Sequence, residues 1–309
     1  MTLAIWLQAI LDGAVIGATI SLGAIGVTLT YAILRFANFA HGEFITWGGY
    51  FALAALSAFA GWRDFSMWLG GPIEPFSFGW PLILAALAAI FAAAALALIL
   101  DAVFFRRLRR AKIAIASVIG SFGAALVLRN LVVLGYGADP EYFSREIQIA
   151  VHFGPGLRIT ADQILLVGIT AALVAALHLF LTRTQMGRAM RGVRENPDLA
   201  AVSGIDVAGV IRATWAIGAA LAAVAGVLIG LTIQLRPSIG FDLLLPLFSA
   251  AILGGIGSVY GAVLGGLVIG ISESVAVLVI GPEYRAAISF GVLILILLVR
   301  PQGILGART

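Results

Sequence analysis

Residues 81–100 read "PLILAALAAIFAAAALALIL", a run without one charged or hydrogen-bonding side chain. It is as long as the roughly 20 apolar residues that cross a bilayer as a helix. A second run, "ISFGVLILILLV" (288–299), approaches that length with its flanks. The whole chain agrees: of 309 residues, 61% are hydrophobic and 11% charged, and mean hydropathy is +1.09. An ordinary soluble chain is about 25% charged. No water-soluble fold hides that much apolar surface, so the fold class is all-α, a polytopic transmembrane helical bundle. The 37 glycines suit helices packed closely in lipid, where small residues let backbones approach.

No basic residues precede the apolar ones in "MTLAIWLQAI", so the first hydrophobic segment is expected to remain rather than be removed as a signal peptide. The absence of cysteine excludes a disulfide framework and a thiolate metal site. No His/Asp/Glu set has metal-ligand spacing and no nucleophile–base pattern occurs, so the expectation is no metal, no cofactor, no catalytic residue and no enzymatic activity.

The charge is asymmetric. "RRLRRAK" (106–112) carries five positive residues, and Arg183, Arg188, Arg191, Arg194 and Arg212 add five more. Both groups fall on the cytoplasmic side by the positive-inside rule. The acid-rich segments near 61–80, 137–162 and 236–242 fall outside. A net charge of +4 is thus topological, and nucleic acid is not an expected partner, because the arginines cluster at span ends without interleaved stacking aromatics. Spans are expected near 11–33, 41–60, 81–104, 114–135, 162–182, 209–231, 243–256, 259–280 and 285–299. The seventh, with Pro246 near its start and Gly254 and Gly255 at its end, is short enough to be a half-helix. The count is therefore eight or nine, in one domain over 1–309, with the C-terminus inside.

"RFANFAHGEFITWGG" (35–49) interrupts this pattern with Arg35, His41 and Glu43. Two readings apply: a break at the start of the second span facing the protein interior, or a tight interfacial turn whose charges reach water. Its glycines and those of "ILGGIGSVYGAVLGG" (252–266) are interruptions in the two halves of the chain, a pattern that points to an internal repeat with the transport path at its interface. The path or gate candidates are then Asn38, His41, Gly42, Glu43, Gly254, Gly255, Gly257 and Glu273. Asp12, Asp101, Arg129, Asn130 and His178 also lie in or near spans, where ionisable groups are costly; Asp101 and His178 read as interfacial. Glu43 and Glu273 are the carboxylates expected deepest.

On the cytoplasmic side, "MGRAMRGVRENPDLAAVSGIDV" (186–207) contains a short helix with punctuation at both ends. Asn196 is its N-cap, Pro197 its first position, Asp198 favours its positive end and Gly204 terminates it. A helix of about two turns is marginal alone and must rest on something.

Together with "NFAHGEF" (38–44), "FSAAILGGIGSVYGAVLGGLVIGISE" (248–273) and "YRAAISFGVLILILLVRPQGILG" (284–306), this segment resembles the LivH-type inner-membrane permease of ABC importers for branched-chain amino acids, over essentially the full chain. The resemblance implies a multi-pass protein of the bacterial inner membrane, held in lipid beside a second homologous permease subunit, with two cytoplasmic ATP-binding subunits and a periplasmic substrate-binding protein. It further implies that the cytoplasmic loop of about 183–208 carries a coupling helix that docks on the ATPase: Arg194, Glu195, Asn196, Pro197, Asp198, Leu199, Ala200, Ala201, Ser203 and Gly204. Ala200→Arg is then expected to uncouple transport while leaving the membrane domain folded. Related permeases import urea, amides or aromatic acids.

Lys112 is the sole lysine and no G-x-x-x-x-G-K-[ST] occurs, so ATP is expected to bind partner subunits rather than this chain. A stand-alone, ion-coupled transporter or channel is the rival class, with His41, Glu43 or Glu273 carrying the ion.

Overall fold

A computed structural model describes residues 3–61, 73–110, 114–143, 150–153, 156–300 and 302–306; Lys112 lies outside them. The chain forms α1 (Leu3–Leu34), α2 (His41–Gly61) and α3 (Trp80–Leu100), and α3 continues through a π-helical turn (Asp101–Phe105) into α4 (Arg106–Arg110). Next come α5 (Ala114–Tyr136), a hairpin of β1 (Val151–Phe153) and β2 (Leu157–Ile159), α6 (Ala161–Arg183), α7 (Gln185–Glu195) and α8 (Pro197–Val202). The C-terminal part holds α9 (Val207–Thr232), α10 (Ile239–Gly254), α11 (Val259–Ile280) and α12 (Arg285–Val299). Eight helices are long and apolar enough to cross a membrane, counted among the described residues, and α10 is shorter at 16 residues. It starts at Ile239 rather than 243, and α1 at Leu3 rather than 11.

The run at 81–100 shows how the bundle is sorted. Ala85, Ala89, Ala93 and Ala97 recur every fourth residue along α3 and are buried, whereas Leu87, Phe91 and Ile99 stand exposed. The small side chains let α3 lie against α2 and α9, and the bulky ones are left for lipid. Along α1, Gly13 and Gly17 let α11 approach so closely that a Cβ at either would meet the backbone of Ile271 or Gly266. α1 and α9 form the enclosed centre; Trp215 of α9 is one of the largest fully buried side chains.

The two ends of the bundle are chemically distinct. The arginines of α4 and α7 lie at one end. At the other, the Gln8 side-chain amide donates to the Arg158 carbonyl at 2.9 Å and accepts from its N–H at 2.9 Å, tying the hairpin to the start of α1. The N-terminal end of α1 is therefore opposite the arginines. Residues 302–306 return to the arginine-rich end, where the N–H groups of Ile304 and Leu305 donate to the Leu253 and Gly254 carbonyls at 2.8 and 3.0 Å and cap α10.

Candidate functional site

The chain leaves α1 and reverses at Arg35, whose φ of 57° is left-handed. Residues 36–40 then run back into the bundle, with Phe36, Asn38 and Ala40 buried. Asn38 organises the re-entry: its side-chain oxygen accepts from the Ala40 N–H at 3.2 Å and its carbonyl from the His41 N–H at 3.2 Å, a local turn that short Asx side chains favour. The Phe39 N–H is satisfied by the Ser121 hydroxyl at 3.0 Å. His41, the first residue of α2, lies against Gly26 of α1 and Gly218 of α9. Gly218 is about 16 Å up α9 from Val207 at 1.5 Å per residue. α2 therefore begins inside the bundle, and the interfacial-turn alternative does not describe it.

A second helix starts at the same level. After α9, Leu235 pairs with Glu141 through N–H···O bonds of 2.8 and 2.9 Å, and the chain turns inward to Ile239. There Gly240 and Gly42 meet backbone to backbone, each occupying the space where the other would carry a Cβ, and the Gly240 N–H donates to the Thr46 hydroxyl at 2.9 Å. From this contact α2 runs toward the hairpin end and α10 toward the arginines. The partner of "NFAHGEF" is thus residues 237–242, not the glycines of 252–266 that the sequence suggests. Gly254, Gly255 and Gly257 instead end α10, and the last two adopt φ of 99° and 87°; they are far along α10 from His41 and Glu43.

His41 and Glu43 are fully buried. Thr46 and the Gly23 backbone lie within electrostatic reach, yet neither side chain makes a well-aligned hydrogen bond. Phe44 stands edge-on to both His41 and Trp215. Arg129 and Asp242 act on Glu43 through space. The Arg129 guanidinium lies 5.4 Å from the Phe241 ring centroid, a cation–π distance, and Asp242 accepts from the Ser238 hydroxyl at 2.9 Å.

Asp242 and Phe241 also line a cleft of about 580 Å³, together with Gln234, Arg236, Glu283 and Arg285. Glu273 lines it, buried and accepting from the Ser289 hydroxyl of α12. The cleft walls are aliphatic, with Ile16, Ile229 and Leu245 among them, and its charges are of both signs. His41 and Glu43 are not in its lining; they sit behind the Gly42–Gly240 contact.

At the arginine-rich end, α7 and α8 form a platform. Arg35 donates to the carbonyls of Arg194 and Glu195 at 3.3 and 3.4 Å, satisfying the orphan acceptors at the end of α7. Arg194 donates to the Gly257 carbonyl at 2.7 Å. The platform is thereby fastened to both the re-entry before α2 and the turn after α10. Asn196 caps α8, accepting from the N–H groups of Asp198 and Leu199 at 3.0 Å each, and Gly204 closes it with φ of 84°. Ala200 packs with Met190, Val193 and Val210 at 5% exposure. That overturns the expectation for Ala200→Arg, since the face left open carries Leu199 and Val202, exposed by 64% and 88%. Residues spaced as Leu199 and Val202 share one side of a helix, and Ala200 lies round from it.

Residues 9–297 match the family described as "Branched-chain amino acid transport system / permease component". The chain belongs to that permease family. It is 37% identical to the high-affinity branched-chain amino acid transport system permease protein BraD of Pseudomonas aeruginosa, covering 97% of this chain and 96% of the relative. Identity to the corresponding protein LivH of Escherichia coli K12 is likewise 37%, with the same coverage of 97% and 96%. A probable branched-chain amino acid transport permease protein LivH of Methanocaldococcus jannaschii is 30% identical over 96% of this chain and 92% of its own length. No solved structure matches.

Within this permease, Asp12, Asn130 and His178, which the sequence singles out in or near spans, each have a nearby partner. Asp12 accepts from Gln8 at 3.0 Å, Asn130 donates to the Leu126 carbonyl at 2.7 Å, and His178 meets the Tyr260 hydroxyl. Asp101 is buried, not solvated as an interfacial residue would be, and pairs with Arg109 at 2.6 Å. Sequence reasoning missed Ser238, Gly240 and Asp242 as a helix start. Their signal was present: Pro237, Ser238 and Gly240 punctuate the chain just ahead of an apolar run, as Asn38 and Gly42 do.

Proposed function

We propose that this permease is the membrane subunit of an ATP-driven importer for branched-chain or related hydrophobic amino acids in a bacterial inner membrane. In this reading a second homologous permease subunit lies beside it, two cytoplasmic ATP-binding subunits dock below it, and a periplasmic binding protein delivers substrate. The observation that carries it is the α7–α8 platform, fastened by Arg35 and Arg194 to the start of α2 and the end of α10. An ATPase that moves α8 as a rigid body then moves both α2 and α10, and their Gly42–Gly240 contact opens or closes the cleft from the cytoplasmic side. The chain itself performs no chemistry; ATP is bound and hydrolysed by the partners.

Substrate class follows from the cleft and the relatives. Charges of both signs suit a zwitterionic head, and aliphatic walls suit a branched side chain. The test is uptake of radiolabelled leucine into proteoliposomes holding the whole complex, with urea and benzoate as competitors. ATP-dependent leucine uptake that neither competitor reduces is the expected result. Uptake equal without ATP would give the permease to the ion-coupled class, and displacement by urea or benzoate would reassign the substrate.

A further inference from the structure

We propose that the cavity between α4 and the start of α9 is a site for the phosphate headgroup of an anionic phospholipid. It measures about 520 Å³ and is lined by Arg106, Arg109, Arg110 and Arg212, with Asp101 as the only carboxylate in the lining. Asp101 is already engaged, 2.6 Å from Arg109 and 4.0 Å from Arg106. Arg212 pairs with Asp206 at 3.4 Å, but that carboxylate is exposed and outside the cavity lining. Arg110 makes no ion pair among the described residues, and Nη1 of Arg109 is buried without an acceptor. Guanidiniums held this close repel one another unless an anion lies between them, and a phosphate matches their paired N–H groups.

The backbone adds to this charge. Val207 and Ala208 of the first turn of α9 line the same cavity, and Asp206 at the N-cap makes no side-chain hydrogen bond to that turn. Its N–H groups therefore remain available to an anion.

A lipid rather than a cytosolic anion is favoured by the location. The arginines lie at the end of a membrane-crossing helix, at headgroup depth on the cytoplasmic side. In the turns of α3 and the π-turn just above them, Ile99 and Val103 are exposed, an apolar track for acyl chains next to the charged cavity.

The experiment is native mass spectrometry of the full-length permease in mild detergent, titrated with palmitoyl-oleoyl phosphatidylglycerol or phosphatidylcholine. Phosphatidylglycerol adducts should be retained over phosphatidylcholine, and Arg110→Gln/Arg212→Gln should weaken that retention by about fivefold for each arginine removed. Arg107→Gln/Arg188→Gln removes the same charge from outside the cavity and should leave retention unchanged. Arg110→Gln alone, at a side chain without an ion pair, repeats the test if the double variant is unstable. Equal retention in the cavity variants, or equal loss in the control pair, would overturn the site. Retention of inorganic phosphate without phosphatidylglycerol would assign the cavity to a cytosolic anion and overturn the lipid reading.

Discussion

Leu199 and Val202 provide the sharpest test of the proposed docking of an ATPase on α8. Both are apolar, exposed by 64% and 88%, and carried on a helix of six residues too short to be stable without packing. Ala200 anchors that helix from the opposite side. Fully burying a valine or leucine contributes about 1.5–3 kcal/mol. Scaled by their exposure, the two side chains would contribute together about 3 kcal/mol on docking, roughly a hundredfold in the docking equilibrium. Leu199→Ser/Val202→Ser should therefore abolish recovery of the ATPase in a detergent pull-down while the melting temperature of the permease alone stays unchanged. Ala200→Arg should show a different signature, lowering the melting temperature as well, because a guanidinium would be forced among Met190, Val193 and Val210. Undiminished ATPase recovery by the double serine variant would refute the assignment of that face.

Arg194→Gln removes the donor to the Gly257 carbonyl, a charge-assisted bond of about 1.5–3 kcal/mol; ATP hydrolysis by the assembled complex should persist while leucine uptake falls, and parallel loss of both would show that Arg194 serves assembly instead. Gly240→Val places side-chain atoms where the Gly42 carbonyl lies, so the permease should be destabilised by at least about 1–3 kcal/mol, read as a lower melting temperature in detergent; an unaltered transition would mean that the two helix starts can part freely. Glu43→Gln keeps size and replaces the buried carboxyl by an amide that does not ionise. Uptake should fall about tenfold, equivalent to ~1.4 kcal/mol, and a rate equal to that of the parent would reduce Glu43 to a packing role.

Where function was legible in the sequence, it was legible through local chemistry. Asn196, Pro197 and Gly204 announce a capped helix because caps act on the next few N–H and C=O groups, whatever the rest of the chain does. Asn38, His41 and Glu43 stood out because polar and ionisable groups in an apolar stretch must be accommodated within the protein or at its edge. The pairing of breaks was misread, as Gly254, Gly255 and Gly257 look like an interruption in the sequence although they terminate a helix, and only the Gly42–Gly240 contact distinguishes the two cases. The cleft that joins Asp242 to Glu273 draws on α1, α6, α9, α10, α11 and α12, and no periodicity in one helix encodes that meeting.

Composition and run length alone determined that this is a membrane bundle, local punctuation determined which loop bears the short capped helix, and arginine placement set the expectation for its cytoplasmic end. These are properties of each segment in its solvent. The tertiary structure alone decided which face of 81–100 is inside, which glycines touch, and that Ala200 points inward while Val202 points out. In lipid, a leucine gains no more from the protein interior than from the bilayer, so hydrophobicity does not mark the buried face. Side-chain volume and the closeness of two backbones mark it instead, and both depend on the helix that arrives opposite.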